Sequence, residues 1–160
     1  MDNHPTIRIA INGFGRIGRC LVRALSEHPA RERFELVAIN DLADFNVLAH
    51  LLAFDTTHGR WPYSVHYDGD AMEIDVRRVP CYAPTALDQL PWGEHAVDLV
   101  LECSGRYTQP AQLQGHLAAG ARHVLVSYPV DAADAMVVYG RIRGLLDGRP
   151  TAVPQHCCLT

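Results

Sequence analysis

Gly13-Phe14-Gly15-Arg16-Ile17-Gly18 follows the apolar run Ile7-Arg8-Ile9-Ala10-Ile11 and precedes Cys20-Leu21-Val22-Arg23-Ala24-Leu25, which reads as a helix. A second apolar run, Phe34-Glu35-Leu36-Val37-Ala38-Ile39, ends at Asn40-Asp41. Strand, glycine turn, helix, strand and acid is the order that a dinucleotide-binding unit requires. Each part answers a physical need. Gly13 permits the tight turn, Gly15 lets the backbone approach a pyrophosphate, and Gly18 lets helix and strand pack closely. The helix N-terminus offers free N–H groups and the positive end of its dipole to the phosphates. Asp41 can accept hydrogen bonds from a ribose diol and would repel a 2′-phosphate, which favours NAD over NADP. A glycine triplet alone could be an ordinary strand-to-helix turn; the agreement of its flanks carries the reading.

The remaining elements extend the same pattern. A helix is expected over about Ile17 to Ser26 and another over Asp44 to Leu52, with Asp44 as its cap. Ser64-Val65-His66-Tyr67 and Ala71-Met72-Glu73-Ile74 flank Asp68-Gly69-Asp70, a hairpin signal, and Arg77-Arg78-Val79 adds a short strand. Pro80, Pro84 and Pro91 punctuate a connection with a short helix near Thr85 to Leu90. Val97 to Glu102 is a near-continuous apolar run, as expected for a strand covered on both faces. A helix over Gln109 to Ala119 closes at Gly120, and strands follow at His123-Val124-Leu125-Val126 and Ala135-Met136-Val137-Val138-Tyr139. The fold class is α/β: a doubly wound, mainly parallel sheet of Rossmann type with a small antiparallel hairpin insertion. Its ligand site belongs at the carboxyl ends of the strands. Gly13 to Gly18, Asp41, Ser104-Gly105 and Ser127 all fall at strand ends.

Composition narrows the function. The 160 residues suffice for one domain with a proper core, and 48% apolar with 20% charged residues suits a soluble globular protein. A net charge of −4 argues against nucleic acid and anionic membranes as partners. No apolar stretch approaches the length of a membrane span. The opening Met1-Asp2-Asn3-His4-Pro5 has neither the basic region nor the apolar core of a signal peptide, so a cytoplasmic location is expected. Five cysteines without framework spacing suggest no disulfide scaffold, and nothing is spaced like a metal site. Cys20, Cys81 and Cys103 read as reduced, mostly buried small apolar residues.

Ala10-Ile11-Asn12-Gly13-Phe14-Gly15-Arg16-Ile17-Gly18-Arg19 resembles the opening of the glyceraldehyde-3-phosphate dehydrogenase family. Asn12, Phe14 and Arg16-Ile17 go beyond a generic fingerprint. The similarity continues in order through Ala38-Ile39-Asn40-Asp41-Leu42, Leu51 to Arg60, Leu90-Pro91-Trp92-Gly93-Glu94, Val97 to Gly105 and Ala118 to Ser127. Leu42-Ala43-Asp44, Ala49-His50-Leu51-Leu52, Asp55-Thr56-Thr57-His58-Gly59-Arg60 and Val137-Val138-Tyr139-Gly140 look more like the erythrose-4-phosphate dehydrogenase branch. The resemblance implies that residues 1–160 form an NAD-binding domain with a divergent tail from about residue 128, and no substrate domain.

The resemblance also implies site residues. Asn12, Arg16 and Ile17 would line the cofactor cleft, Arg78 would lie near the adenine, and Ser104, Gly105 and Ser127 near the nicotinamide half. Arg78 could equally be a solvated charge beside Arg77, and the serines could cap turns. Asp55 to Arg60 reads as a connecting loop that helps subunits pack, with His58 lacking a cysteine or carboxylate partner at fixed spacing.

Aligned on Val153 and Thr160, Cys158 takes the place of the family's nucleophile, but Pro154, Gln155, His156, Cys157 and Leu159 depart from the pattern. A nucleophilic cysteine needs a helix N-terminus or an imidazolium to favour its thiolate. The general-base histidine and the phosphate-binding residues of the family fall in the domain absent from these residues. The expectation is therefore an NAD-binding domain that is inactive by itself, acting on a sugar-phosphate aldehyde only if the missing domain is supplied. The alternative is a non-catalytic nucleotide-binding or interaction protein that pairs with itself or with a full-length relative.

Overall fold

A computed structural model describes residues 6–130, 135–136 and 154–155. Strand β1 (Ile7–Asn12) leads into helix α1 (Arg16–Glu27), strand β2 (Phe34–Asn40) and helix α2 (Phe45–Ala53). Two short strands, β3 (Phe54–Asp55) and β4 (Gly59–Arg60), pair antiparallel. The hairpin insertion is β5 (Val65–Tyr67), β6 (Ala71–Ile74) and β7 (Arg77–Tyr82). Strand β8 (Leu99–Glu102), helix α3 (Pro110–Ala118) and strand β9 (His123–Val126) complete the main body. Beyond it, β10 (Ala135–Met136) and β11 (Pro154–Gln155) pair in parallel.

The main sheet runs in the order β5-β6-β7-β2-β1-β8-β9. From β2 to β9 every pairing is parallel, and β5 and β6 join antiparallel through β7. Strand β7 serves both parts: Arg77 to Pro80 pair with β6, while Cys81 and Tyr82 pair in parallel with Ile39 and Asn40. The chain winds outward from β1 to β2 and β7, then returns across β1 to β8 and β9. The strand order therefore reverses beside β1, the point where such sheets bind ligands. This is the expected Rossmann-type α/β architecture.

Both faces of the sheet are covered, and residue parity divides two cores. Ile9, Ile11, Ile39 and Leu101 pack with Phe14, Val22, Leu48 and Leu52 on the α1–α2 side. Ala10, Ala38, Val100, Val124 and Val126 pack with Trp92, Leu90 and Leu113 on the α3 side. A bulge between β1 and β2 sets the parity of the upper sheet. Ile9 pairs with Leu36 but Ala10 pairs with Ala38, so Val37 is the extra residue. Beyond the bulge Asn40 stands beside Asn12, and Asn12 stands beside Glu102 on β8.

The local signals act as expected, with some shifts. Asp44 caps α2, its carboxylate accepting from the Asn46 N–H at 2.8 Å. Gly120 closes α3 at φ +101°, where a Cβ would stand 2.6 Å from Gly93 Cα. The helix expected near Thr85 to Leu90 is a single 3₁₀ turn, Leu87–Gln89. The strand expected from Val97 begins at Leu99, because the Val97 N–H is tied to the Trp92 carbonyl at 3.0 Å. Among the described residues, Cys20, Cys81 and Cys103 are free thiols, half-buried rather than mostly buried. No helix there is long and apolar enough to cross a membrane.

Candidate functional site

The carboxyl ends of β1, β2, β7 and β8 open into a cleft of about 180 Å³. Asn12, Gly13, Gly15, Asn40, Asp41, Leu42, Pro84, Thr85, Ser104, Arg106 and Tyr107 are on its walls. A larger groove, about 350 Å³, lies between α1, β2 and the hairpin. Its apolar lining of Val22, Leu25, Phe34, Leu36 and Ile74 lies off the glycine turn, so the smaller cleft is the chemically organised one.

The glycine turn is built as its residue types demand. Gly13 has φ +91°, and a Cβ there would stand 2.4 Å from the Ser104 nitrogen. A Cβ on Gly18 would stand 2.5 Å from the Gly13 carbonyl oxygen, so α1 can cross β1 only with glycine here. Gly15 is different: a Cβ there meets nothing within 4 Å. It is the N-cap of α1, with no side-chain cap, which leaves the first-turn N–H groups free for an anion. Open space above Gly15 and an uncapped helix start fit a pyrophosphate.

Asp41 follows β2 directly. Its Oδ2 accepts from the Phe14 N–H at 2.6 Å and its Oδ1 from the Ala43 N–H at 2.8 Å. These bonds lock the carboxylate against the glycine turn and leave lone pairs on both oxygens for a diol. Beneath the cleft lies a buried polar row. Asn12 Nδ2 donates to Glu102 Oε2 at 2.5 Å, and Asn40 Nδ2 donates to Asn12 Oδ1 at 2.6 Å. Glu102 also takes the Ser104 N–H on Oε1 at 2.7 Å and contacts His116 Nε2 at 3.0 Å. Trp92 Nε1 donates to His116 Nδ1 at 2.9 Å. Burial pushes the Glu102 carboxyl up, but the hydrogen bonds from His116, Ser104 and Asn12 outweigh it and hold its pKa below the ordinary value.

The expected site residues fall into groups. Asn12, Gly13, Gly15, Asp41 and Ser104 come together on the cleft, and Gly18 packs directly beneath. Arg16 and Ile17 stand exposed in the first turn of α1, with Arg16 Nη1 3.1 Å from Asp55 Oδ2. Gly105 follows Ser104 at φ +70°. Ser127 follows β9 at its carboxyl end, beside the end of β8, its N–H bonded to the Glu102 carbonyl at 3.0 Å. Its side chain hydrogen-bonds the Cys103 thiol, whose pKa burial pushes up to about 11.

Two expectations are corrected. Arg78 does not reach the cleft: β7 continues to Tyr82, so Arg78 lies four positions short of the strand's carboxyl end, about 13 Å at strand rise. It pairs with Asp68 and stands opposite Glu73. Pro84 and Thr85 occupy the wall instead. His58 does have a carboxylate partner, Asp55 Oδ1 at 3.0 Å. The backbone N–H groups of His58 and Thr57, with the His58 ring and Arg16, hold the Asp55 carboxyl well below the usual range. Cys157 and Cys158 lie outside the described residues. Residues missed by sequence reasoning are Asn40, Leu42, Pro84, Thr85, Arg106 and Tyr107 on the walls, and Glu102, His116 and Trp92 beneath.

Residues 7–110 match the family model of the glyceraldehyde 3-phosphate dehydrogenase NAD-binding domain. The chain belongs to this family. It is 43% identical over 156 residues to the chromosomal and plasmid glyceraldehyde-3-phosphate dehydrogenases of Cupriavidus necator, covering 97% of this chain and 46% of each relative. It is 43% identical over 155 residues to glyceraldehyde-3-phosphate dehydrogenase of Pseudomonas aeruginosa, with the same coverage. The chain thus spans about half the length of these curated relatives and corresponds to their N-terminal part. Residues 7–110 are an NAD-binding domain of the glyceraldehyde-3-phosphate dehydrogenase type, and the cofactor is NAD.

Proposed function

We propose that this chain forms the cofactor half of an NAD-dependent sugar-phosphate aldehyde dehydrogenase, with the pyrophosphate over Gly15 and a ribose diol on Asp41. The observation that carries the assignment is the open space above Gly15 at an uncapped helix start, next to a carboxylate locked by the Phe14 N–H. Bound NAD supplies the hydride acceptor. The chain's own residues bind and orient it. The α1 N-terminus attracts the pyrophosphate, Asp41 selects an unphosphorylated ribose, and Leu42 and Tyr107 give the cleft apolar walls. Arg16, held by Asp55 at 3.1 Å, places a positive charge at the rim. Gly105 and Ser127 are assigned to the nicotinamide end.

The substrate assigned to the whole enzyme is erythrose 4-phosphate or glyceraldehyde 3-phosphate, with the stretches around Leu42, Ala49 and Asp55 favouring the former. Cys158 is the thiol assigned to the nucleophile's position. The general base and phosphate site belong to a catalytic domain that these residues do not contain, so the chain alone should bind NAD without turnover. A cytoplasmic setting suits this chemistry. Aldehyde-dependent NADH formation, assayed with both sugar phosphates, tests the division of labour. The expected rate is indistinguishable from a no-protein control, and measurable turnover by the pure chain contradicts it.

A second reading, self-pairing, draws on the outer face of α2 and the start of β3, where Val47, Leu51 and Phe54 are 53%, 38% and 47% exposed. Sedimentation of the chain over a range of concentrations tests it: association supports pairing, and a monomer throughout refutes it.

A further inference from the structure

Asn40, Asn12 and Glu102 are the last residues of three adjacent strands, side by side in register on the α3 face. The rung below them on that face is Ala38, Ala10 and Val100, all apolar. The polar rung is buried: Asn40 is 4%, Asn12 3% and Glu102 0% exposed. Its hydrogen bonds have a direction, and Trp92 sets it. An indole N–H can only donate, so His116 Nδ1, 2.9 Å away, must hold a lone pair. The ring proton then sits on Nε2 and points at Glu102 Oε2. With donors from His116, Asn12 and Ser104, Glu102 has the partners of a carboxylate rather than of a carboxylic acid.

The sequence of constraints continues along the rung. Facing a carboxylate, Asn12 must present Nδ2, which turns its Oδ1 toward Asn40. Facing that oxygen, Asn40 must present its own Nδ2, which also reaches the Pro84 carbonyl at 3.3 Å. The rung ends on Asn40 Oδ1, a buried acceptor without a hydrogen-bond partner among the described residues, on a side chain that lines the cleft.

We propose that Trp92 and His116 are positioning residues for the cofactor cleft: from the α3 side of the sheet they fix which hydrogen-bonding atoms Asn12, Asn40 and Ser104 present to a bound dinucleotide. The proposal rests on the NAD reading above and deepens it. The Ser104 N–H and Asn12 Oδ1 are spent on the rung, and Asn40 Oδ1 is the acceptor left over. The cleft wall at Asn40 therefore accepts an N–H or O–H group of the ligand and disfavours another acceptor. Were His116 to carry its proton on Nδ1, the Nε2 lone pair would face Glu102, which would have to take up a proton to bridge the pair, and a protonated Glu102 no longer obliges Asn12 to present Nδ2.

Side-chain ¹⁵N NMR of the ligand-free 160-residue chain reads the tautomer directly. The proposal expects His116 neutral, with the proton on Nε2 and Nδ1 bare. A ring protonated on Nδ1, alone or together with Nε2, overturns it. Calorimetric NAD titrations of variants read the consequence. Trp92→Phe keeps an aromatic ring but removes the donor, and should weaken NAD about tenfold, the scale of one misdirected hydrogen bond. His116→Leu should weaken NAD at least as much. His116→Gln restores an acceptor for Trp92 and a donor for Glu102, and should recover most of the loss. Should Trp92→Phe fail to fold, the wild-type spectrum and the Leu–Gln pair at position 116 still decide. Wild-type affinity in folded Trp92→Phe, or no recovery in folded His116→Gln, contradicts the proposal. A wild-type chain with the expected tautomer that binds no NAD refutes the cofactor reading and the positioning role together. A chain that binds NAD with the other tautomer refutes the positioning role alone.

Discussion

A methyl group separates two kinds of glycine in the turn. At Gly13 it would collide with the Ser104 nitrogen and sit at φ +91°, and at Gly18 it would collide with the Gly13 carbonyl. Gly13→Ala and Gly18→Ala should each lower stability by about 2 kcal/mol or more, read from denaturant midpoints. Gly15→Ala meets open space, so its midpoint should change little while NAD affinity falls, because the methyl occupies ligand volume. Loss of stability in Gly15→Ala with NAD affinity intact would contradict the assignment of that space. Glu102 makes a prediction in pH. Its native pKa is depressed and its unfolded pKa is about 4.3, so its contribution is complete above the unfolded value. That contribution is lost as pH falls from there through the native pKa. Glu102→Gln should therefore be less stable than wild type at pH 7, with a gap that narrows below about pH 4. A gap that stays constant on acidification would show that Glu102 is not ionised in the fold.

Elements hold the site through contacts that join distant parts of the chain. Arg23, 7% exposed, reaches from α1 to the Leu52 carbonyl at 2.6 Å and the Gly59 carbonyl at 3.3 Å, with its guanidinium 5.7 Å from the Trp61 ring. Arg23→Met keeps the stem but strands these carbonyls, and should cost about 2–3 kcal/mol by thermal or denaturant unfolding. Asp44→Ala removes the α2 cap and should cost about 1 kcal/mol; an unchanged midpoint would show that packing alone holds the helix. The elements were legible where chemistry is local. The glycine turn, the Asp68-Gly69-Asp70 hairpin, the Asp44 cap and Gly120 all announce themselves within a few residues. Asn12, Gly13, Gly15, Asp41 and Ser104 were legible as cleft residues because strand ends follow from apolar runs. The polar rung was not, because it depends on register between strands and on the bulge at Val37. Without that extra residue Asn12 would face Ile39. Arg78, which the resemblance set near the adenine, stands short of the cleft because β7 passes through Pro80 from the hairpin into the parallel sheet.

Across the whole molecule, two cores on opposite faces make one sheet rigid enough to hold a cleft at its point of reversal. The α1–α2 core fixes the glycine turn, and the α3 core fixes the rung beneath the cleft, so both layers bear on the same ligand site. Cys81 and Cys103 are not nucleophiles of this domain. Burial pushes Cys81 and Cys103 up to about 12 and about 11, so both stay protonated near neutral pH. What the body offers is recognition of a dinucleotide, with selectivity for NAD the expected outcome of Asp41 at the ribose. The most direct measurement is a calorimetric titration of NAD into the 160-residue chain, with NADP run in parallel. Saturable one-to-one NAD binding, with NADP at least about tenfold weaker because Asp41 repels a 2′-phosphate, is the predicted result. No heat with either nucleotide, or equal affinity for both, would contradict the account.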